Sequence, residues 1–139
     1  MRRPVAHLAV VGPQGPHVVP VWFVWDPNAL YCAVWGGTAT HRHLRGGGRA
    51  AVAVDAGEAW EELGGAVVTG PAKLLRPDRP DLRGPVSRWY EKYGERFGLA
   101  GFRWFSETVS DPWFARITPE TLAWWDHGEG PFSAWNDAG

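Results

Sequence analysis

The sequence of 139 residues contains a single cysteine, Cys32, and a single methionine. One cysteine cannot form an intrachain disulfide, which excludes a disulfide-stabilised secreted scaffold. Because Cys32 lies in an apolar run, we expect it to be a buried structural thiol. The apolar stretch that follows Arg2 and Arg3 ends at Gly12, which is too short for a membrane span, and it lacks the small-residue cleavage site of a signal peptide. We therefore expect a cytoplasmic protein with no membrane partner.

The sequence also lacks an excess of positive charge. Fourteen Lys and Arg residues stand against fifteen Asp and Glu residues, which gives a net charge of −1. No basic run is long enough to form a nucleic-acid-binding stripe, so no nucleic-acid partner is expected. The length is typical of one hydrophobic core, and we interpret residues 1–139 as a single domain with a loose tail from about residue 128.

Tryptophan is abundant, with ten copies. Such large rings are favoured in cores, at interfaces and against planar ligands. Four of them are candidates for the wall of a planar-ligand pocket: Trp22, Trp25, Trp35 and Trp104. Packing in the core or at a dimer interface is the alternative interpretation for each.

Apolar and β-branched runs, separated by Gly, Pro, Asp and Asn, predict a mainly β fold. Strands are predicted over residues 5–11, 17–25, 30–35, 50–55, 66–75, 113–118 and 121–126. The dipeptide Gly70-Pro71 predicts a bulge or bend inside the fifth of these strands.

Two helices are predicted. A short one covers residues 38–45, with Thr38 as its N-cap and three glycines after its end. From Pro85 onward, apolar residues recur every three or four positions up to Phe97, which predicts one amphipathic helix that ends at Gly98.

The predicted strand over residues 17–25 is apolar on both faces. A strand with one wet face would alternate apolar and polar residues, so this pattern predicts cover on both sides. In so short a chain, the barrel interior would cover one face and a second subunit the other. Pro20 lies in the middle of the run and cannot donate a ladder hydrogen bond, which indicates an edge strand or a bulge.

Four segments together resemble a known family. In order they read HVVPVWFVWDPNALYCAV, GGTATHRHLR, GAVVTGPAKLL and WFARITPETLAWWDHG, and they extend from about Val5 to about His127. Their order and spacing resemble the pyridoxamine 5'-phosphate oxidase-like split-barrel superfamily, and within it the small proteins that bind FMN or the deazaflavin coenzyme.

The resemblance implies a six-stranded split β-barrel, the FMN-binding split barrel, which forms a homodimer with two cofactor sites at the subunit interface. The expected cofactor is FMN, with deazaflavin as the alternative. The residues that the resemblance places along the ring system are Val19, Pro20, Val21 and Trp22, and those that it places at the phosphate are Thr38, Thr40 and Arg42.

The resemblance leaves two functions open. The first is a flavin- or deazaflavin-dependent oxidoreductase that transfers a hydride between cofactor and a small organic substrate. The chain carries no catalytic triad and no phosphate-binding glycine motif, so in such an enzyme the cofactor would supply the chemistry. The second is a non-catalytic carrier or binding protein for a planar small molecule. Thr40 favours the carrier, because family members often have a lysine there.

His41 and His43 also suggest a metal site. Alternate residues of a strand share one face, and neutral imidazole is a common metal ligand. The local sequence instead predicts a helix, and no third ligand lies at motif spacing, so we assign no metal site.

Overall fold

The structure is a computed structural model and describes residues 3–127 and 136–137, except for the side chains of Phe97, of residues 99–106 and of residues 136–137. Most of the segment interpreted as a loose tail lies outside these residues. The strands are β1 (Ala6–Gly12), β2 (Gly15–Val21), β3 (Phe23–Asp26), β4 (Ala29–Trp35), β5 (Arg49–Ala56), β6 (Gly64–Leu75), β7 (Pro112–Ile117), β8 (Thr121–Asp126) and β9 (Asn136–Asp137). The helices are α1 (Ala39–Leu44) and α2 (Arg83–Thr108), with single 3-10 turns at Trp60–Glu62 and Pro80–Leu82. The predicted mainly β fold with one main helix and one short helix is confirmed.

The described strands form one sheet in which every ladder is antiparallel. Their order is β2-β1-β5-β6-β7-β4-β3, and β8 pairs with both β6 and β9. The two strands at the ends of this order, β2 and β3, follow each other directly in the chain.

The long strand β6 changes partner part-way along, as the predicted bend at Gly70-Pro71 suggests. Its first half pairs with β5 and β8, whereas residues Ala72 to Leu75 pair with β7. The backbone carbonyl of Thr118 occupies the space where a β carbon of Gly70 would lie. Only glycine allows this close approach, which fixes the bend.

The prediction of one continuous strand over residues 17–25 is wrong. Trp22 interrupts it, so that β2 pairs with β1 while β3 pairs with β4. The carbonyl of Trp22 accepts a hydrogen bond from the Ala33 amide at 2.9 Å, which holds the break against β4. The sequence hides the break because the residues before and after Trp22 are apolar on both faces. Pro20 lies in β2, whose one ladder partner among the described strands is β1, so the predicted edge position is confirmed.

Two buried clusters lie on opposite faces of the sheet. The inner cluster includes Leu8, Phe23, Val52 and Ile117, together with Cys32, which is fully buried as predicted. The outer cluster packs α2 against β4 and β7, and its largest members are Tyr31, Trp89, Tyr93 and Phe114.

The predicted end of the amphipathic helix at Gly98 is confirmed, since Gly98 has φ 70° and ψ 169°, which are not helical angles. Helical residues that were not predicted follow this kink up to Thr108. Glycine adopts positive φ at low cost, so the chain changes direction there and then resumes the helix. Within the described residues, no helix has both the length and the hydropathy needed to cross a bilayer.

Candidate functional site

A concavity of about 380 Å³ lies between the end of β2 and the end of β4, beside the start of α1. Its volume is within the range of small-molecule sites. The lining residues are Val5, Val19, Pro20, Val21, Trp22, Ala33, Val34, Trp35, Thr38 and Thr40. None of these ten side chains is ionisable, and their only polar groups are the hydroxyls of the two threonines and the indole N–H groups of the two tryptophans.

Six of the seven residues that the sequence suggested for a cofactor meet at this concavity. The four predicted ring-contacting residues are contributed by the end of β2 and the break that follows it, and both threonines line the opposite side. Arg42 does not line it. Two residues that the sequence analysis did not suggest, Ala33 and Val34, contribute the β4 wall, and nothing in their apolar pattern distinguishes them from ordinary core residues.

The indole of Trp22 is held by α2. It stacks on the ring of Tyr93 with the centroids 4.1 Å apart and the planes 4° from parallel. Trp89 contacts both rings, at 5.8 Å and 4.6 Å. Aromatic pairs of this kind contribute about 0.5–1.5 kcal/mol beyond their buried area. Trp22 therefore connects the wall of the concavity to the outer cluster.

The hydroxyl of Tyr93 stabilises the break between β2 and β3. It accepts a hydrogen bond from the Phe23 amide at 2.7 Å and donates one to the Pro4 carbonyl at 2.8 Å. Burial raises the pKa of the Tyr93 phenol well above its usual value. In the sequence, Tyr93 belongs to the apolar face of the predicted amphipathic helix. A tyrosine in place of phenylalanine at a core position was the available signal, since a buried hydroxyl needs a partner.

Lys92 lies beside the same break. Its Nζ donates to the Phe23 carbonyl at 2.8 Å and lies 3.5 Å from the centroid of the Phe23 ring. Burial and, to a smaller extent, the charge of Arg96 together lower the pKa of Lys92 to about 8. Nothing in the sequence pattern indicates this contact, because Lys92 follows Glu91 among the charged residues that predict a solvent-exposed helix face.

The turn that connects β4 to α1 is anchored from β7. The Gly36 amide donates to the Asp111 carbonyl at 2.9 Å, and the Asp111 carboxylate fills the space of a Gly36 β carbon. Arg76 forms an ion pair with Asp111 at 2.5 Å and stacks over the Trp113 ring at 3.7 Å. The hydrogen bond from Arg76 lowers the pKa of the Asp111 carboxyl below its usual range.

Thr38 is the N-cap of α1, as predicted. Its Oγ1 donates to the Trp35 carbonyl at 2.7 Å and accepts from the His41 amide at 3.2 Å. Thr40 is 4% exposed.

Arg42 is exposed, and its Nη1 donates to the Gly37 carbonyl at 2.8 Å. The guanidinium thus lies at the turn that borders the concavity, and this bond uses one of its five donors.

The remaining candidate aromatic and histidine residues lie apart from one another. Trp35 lines the concavity, whereas Trp25 is 43% exposed on β3 and does not. The side chain of Trp104 lies outside the described part of the chain. His41 contacts Trp113 and His43 contacts His17, on different sides of α1. Within residues 3–127 and 136–137 no group of three potential metal ligands comes together.

Comparison with known proteins was made at three levels. The family model described as pyridoxamine 5'-phosphate oxidase matches residues 2–126. The chain belongs to the pyridoxamine 5'-phosphate oxidase family. No curated protein sequence matches it.

Solved structures share the fold of this family member. A conserved hypothetical protein from Mycobacterium tuberculosis is 19% identical with a TM-score of 0.72, and the match covers 99% of this chain and 86% of that chain. An FAD-binding protein from Mesorhizobium loti is 22% identical, with a TM-score of 0.67 and coverages of 86% and 82%. The heme storage protein HutZ from Vibrio cholerae is 20% identical, with a TM-score of 0.67 and coverages of 86% and 84%. The pyridoxamine 5'-phosphate oxidase fold is thus found in proteins named for flavin binding and for heme storage.

Proposed function

We propose that this chain binds a flavin-type cofactor in the concavity between β2 and β4 and acts as an oxidoreductase on a small organic substrate. FMN is the expected cofactor, with the deazaflavin coenzyme as the alternative. The observation that carries the proposal is that six of the seven residues suggested by the family resemblance line one concavity of suitable volume.

The residues present fit the two parts of such a cofactor. An apolar wall with two indoles, Trp22 and Trp35, suits a flat tricyclic ring, since planar aromatic faces stack favourably. The hydroxyls of Thr38 and Thr40 and the guanidinium of Arg42 lie on the side of α1. A guanidinium offers a planar set of donors to phosphate oxygens, so this side would hold the phosphate.

When bound, a flavin supplies hydride transfer, which requires no dedicated catalytic side chain. The protein would bind the ring, orient it and exclude water. The stack of Trp22 on Tyr93 positions the wall beside the ring, and the hydroxyl of Tyr93 keeps the break after β2 in place. The ion pair of Arg76 with Asp111 stabilises the turn that would face the phosphate.

A non-catalytic binding protein is the second candidate. The absence of any ionisable side chain among the ten lining residues favours it, because a cofactor phosphate would find one nearby cation, Arg42, instead of a pair. An apolar concavity with two indoles would also accept another planar molecule. Fold relatives include a heme storage protein, which makes heme the natural probe for this candidate.

A closed barrel and a homodimer belong to the same proposal. If β2 and β3 are counted as one strand bent at Trp22, then β1, β4, β5, β6 and β7 bring the number of barrel strands to six. The bond from the Ala33 amide to the Trp22 carbonyl supports this count, since it extends the pairing of β3 with β4 to the residue that directly follows β2. A partner subunit would cover the outer face of β2.

The first test is absorbance spectroscopy of the purified full chain, followed by titration with FMN, FAD, deazaflavin coenzyme and heme. We expect a flavin to bind and to quench tryptophan fluorescence, because Trp22 and Trp35 line the site. Trp35→Phe should lose part of this quenching, whereas the matched variant Trp25→Phe should retain it. If heme binds and no flavin or deazaflavin does, the oxidoreductase proposal is wrong and the non-catalytic binding protein takes its place. Equal loss in both tryptophan variants would contradict the location of the site.

A further inference from the structure

A second groove lies at the other end of α1. It has a volume of about 590 Å³ and runs between the glycine loop Gly46–Gly48 and the paired strands β6 and β7. Three cationic side chains line it: Arg45, Lys73 and Arg116. It shares no lining residue with the concavity between β2 and β4.

The positions of Lys73 and Arg116 are unfavourable without a ligand. They are direct partners in the antiparallel ladder of β6 with β7, so their side chains emerge side by side from the same face. Like charges at directly opposite positions destabilise a sheet. An anion between them would remove this repulsion.

Little negative charge in the protein compensates these cations. Among the described residues, Arg45 and Lys73 form no ion pair or hydrogen bond through their side chains. Arg116 approaches one carboxylate oxygen of Asp81 at 4.0 Å. Both oxygens of Asp81 already accept hydrogen bonds from Arg79, at 2.9 Å and 3.0 Å. The groove therefore keeps a net positive charge.

The glycine loop leaves one side of the groove without side chains. Gly47 and Gly48 have positive φ, 85° and 137°, which explains glycine at those two positions. Gly46 has neither a positive φ nor any atom near the place of its absent β carbon, so the protein fold itself does not require glycine there. A bare backbone lets a ligand approach closely. The hydroxyl of Thr118 adds a polar group to the other side.

We propose that this groove is a second anion site, which binds a pyrophosphate group of a small molecule. Pyrophosphate carries several negative oxygens close together. Each of the two guanidinium groups can donate two parallel hydrogen bonds to phosphate oxygens, and the ammonium group of Lys73 adds a compact positive charge. The volume admits more than one phosphoryl unit. This inference is independent of the flavin proposal, because it uses other residues.

The test is calorimetric titration of the full chain, free of cofactor, with inorganic pyrophosphate and with orthophosphate at low salt. We expect pyrophosphate to bind more tightly than orthophosphate. Lys73→Gln and Arg45→Gln should each weaken binding by about fivefold or more, and Gly46→Glu should weaken it as well, because it adds a negative charge at the groove. Arg96→Gln changes the net charge equally at an exposed position of α2 and should leave affinity within about twofold.

Thermal melts of the same variants separate binding from folding. Without ligand, Lys73→Gln should melt no lower than the wild type, because it removes a repulsion. Pyrophosphate should raise the melting temperature of the wild type but not of the Lys73→Gln and Arg45→Gln double variant. An equal loss of affinity in Arg96→Gln, or no binding by the wild type at millimolar pyrophosphate, would overturn the proposal. Competition between pyrophosphate and FMN would also overturn it, because the groove would then be part of the cofactor site.

Discussion

Arg42 is the residue on which the proposed cofactor site depends most. It lies outside the apolar lining, but its bond to the Gly37 carbonyl keeps the guanidinium at the border of the concavity. The neighbouring Thr40 is buried and uncharged. Arg42 would therefore carry the phosphate charge without help from a second cation at that position.

We expect Arg42→Ala to weaken FMN binding by on the order of 2 kcal/mol, the usual contribution of a charge-assisted hydrogen bond. Its effect on unfolding should be only about 0.5 kcal/mol, as for other exposed side chains. Calorimetry with FMN and thermal melts without it measure the two effects separately. Arg83→Ala, which removes the same charge at an exposed position of α2, is the matched control and should leave the affinity unchanged. Unchanged affinity in Arg42→Ala would remove this residue from the site and point to Arg45 or Arg49.

Lys92 gives a prediction for the pH dependence of stability. The folded chain loses the Lys92 proton near pH 8, whereas the unfolded chain holds it until about pH 10.4. Between these values the unfolded state binds more protons, so the free energy of unfolding rises with pH. Burial raises the pKa of Cys32, which lowers stability above its ordinary value of 9.0. The rise should therefore be visible between pH 8 and pH 9.

Urea denaturation at pH 7, 8 and 9 measures this rise. We expect less than about 1 kcal/mol per pH unit, because Lys92 is half-buried and solvent screens part of the effect. Lys92→Met should abolish the rise, while Lys73→Met, which alters an exposed lysine, should retain it. A rise that persists in Lys92→Met would assign it to another group.

At the scale of elements, the sequence predicted most strands, both helices and the bend where β6 changes partner, but not the break between β2 and β3. Turn residues such as Gly70-Pro71 mark local geometry, and this bend was found. The break at Trp22 has no such marker, because it depends on Ala33 and Tyr93, which are distant in the sequence. In α2, the glycine at position 98 marks the kink in the same way, whereas nothing in the sequence pattern marked the helical residues that follow it.

The break between β2 and β3 should be sensitive to one hydroxyl of α2. Tyr93→Phe leaves the Phe23 amide without its partner and removes the bond to the Pro4 carbonyl. A buried donor that loses its partner costs about 1–3 kcal/mol, so we expect a loss of stability in that range. Chemical denaturation measures it. Tyr90→Phe, at a position 56% exposed on the same helix, should cost less than about 0.5 kcal/mol. Equal costs would show that the Tyr93 hydroxyl does not hold the break.

At the scale of the whole molecule, local patterns do not determine the order of strands. The path that begins at β2 and ends at β3 brings Val21 and Val34 to one site although they lie in different ladders. Only the family resemblance suggested that these segments meet. Burial of residues such as Cys32 was predictable from apolar runs, whereas the positions of Lys92 and Asp111 depend on contacts between distant segments.

The outer face of β1 and β2 is the surface expected to bind a second copy of the chain. Val18 is 64% exposed and Val11 is 76% exposed. Because Val18 pairs with Ala9 and Val11 pairs with Pro16, these side chains share one face of the ladder. The sequence predicted cover on both sides of this strand, and within one chain only the inner side, with Val19 and Val21, is packed.

We expect the protein to be a homodimer with a two-fold axis, in which each subunit buries this face against the other. Burial of apolar surface contributes about 25 cal/mol per Å², so contact between the exposed valines of two copies would stabilise the dimer. Light scattering at micromolar concentration should give about twice the mass of one chain. Val18→Lys should give the monomer, because it would bury an unpaired charge at the interface. Ser87→Lys adds the same charge on α2 and should leave the dimer intact. A monomeric wild type, or a dimer that persists in Val18→Lys, would show that this face is not the interface.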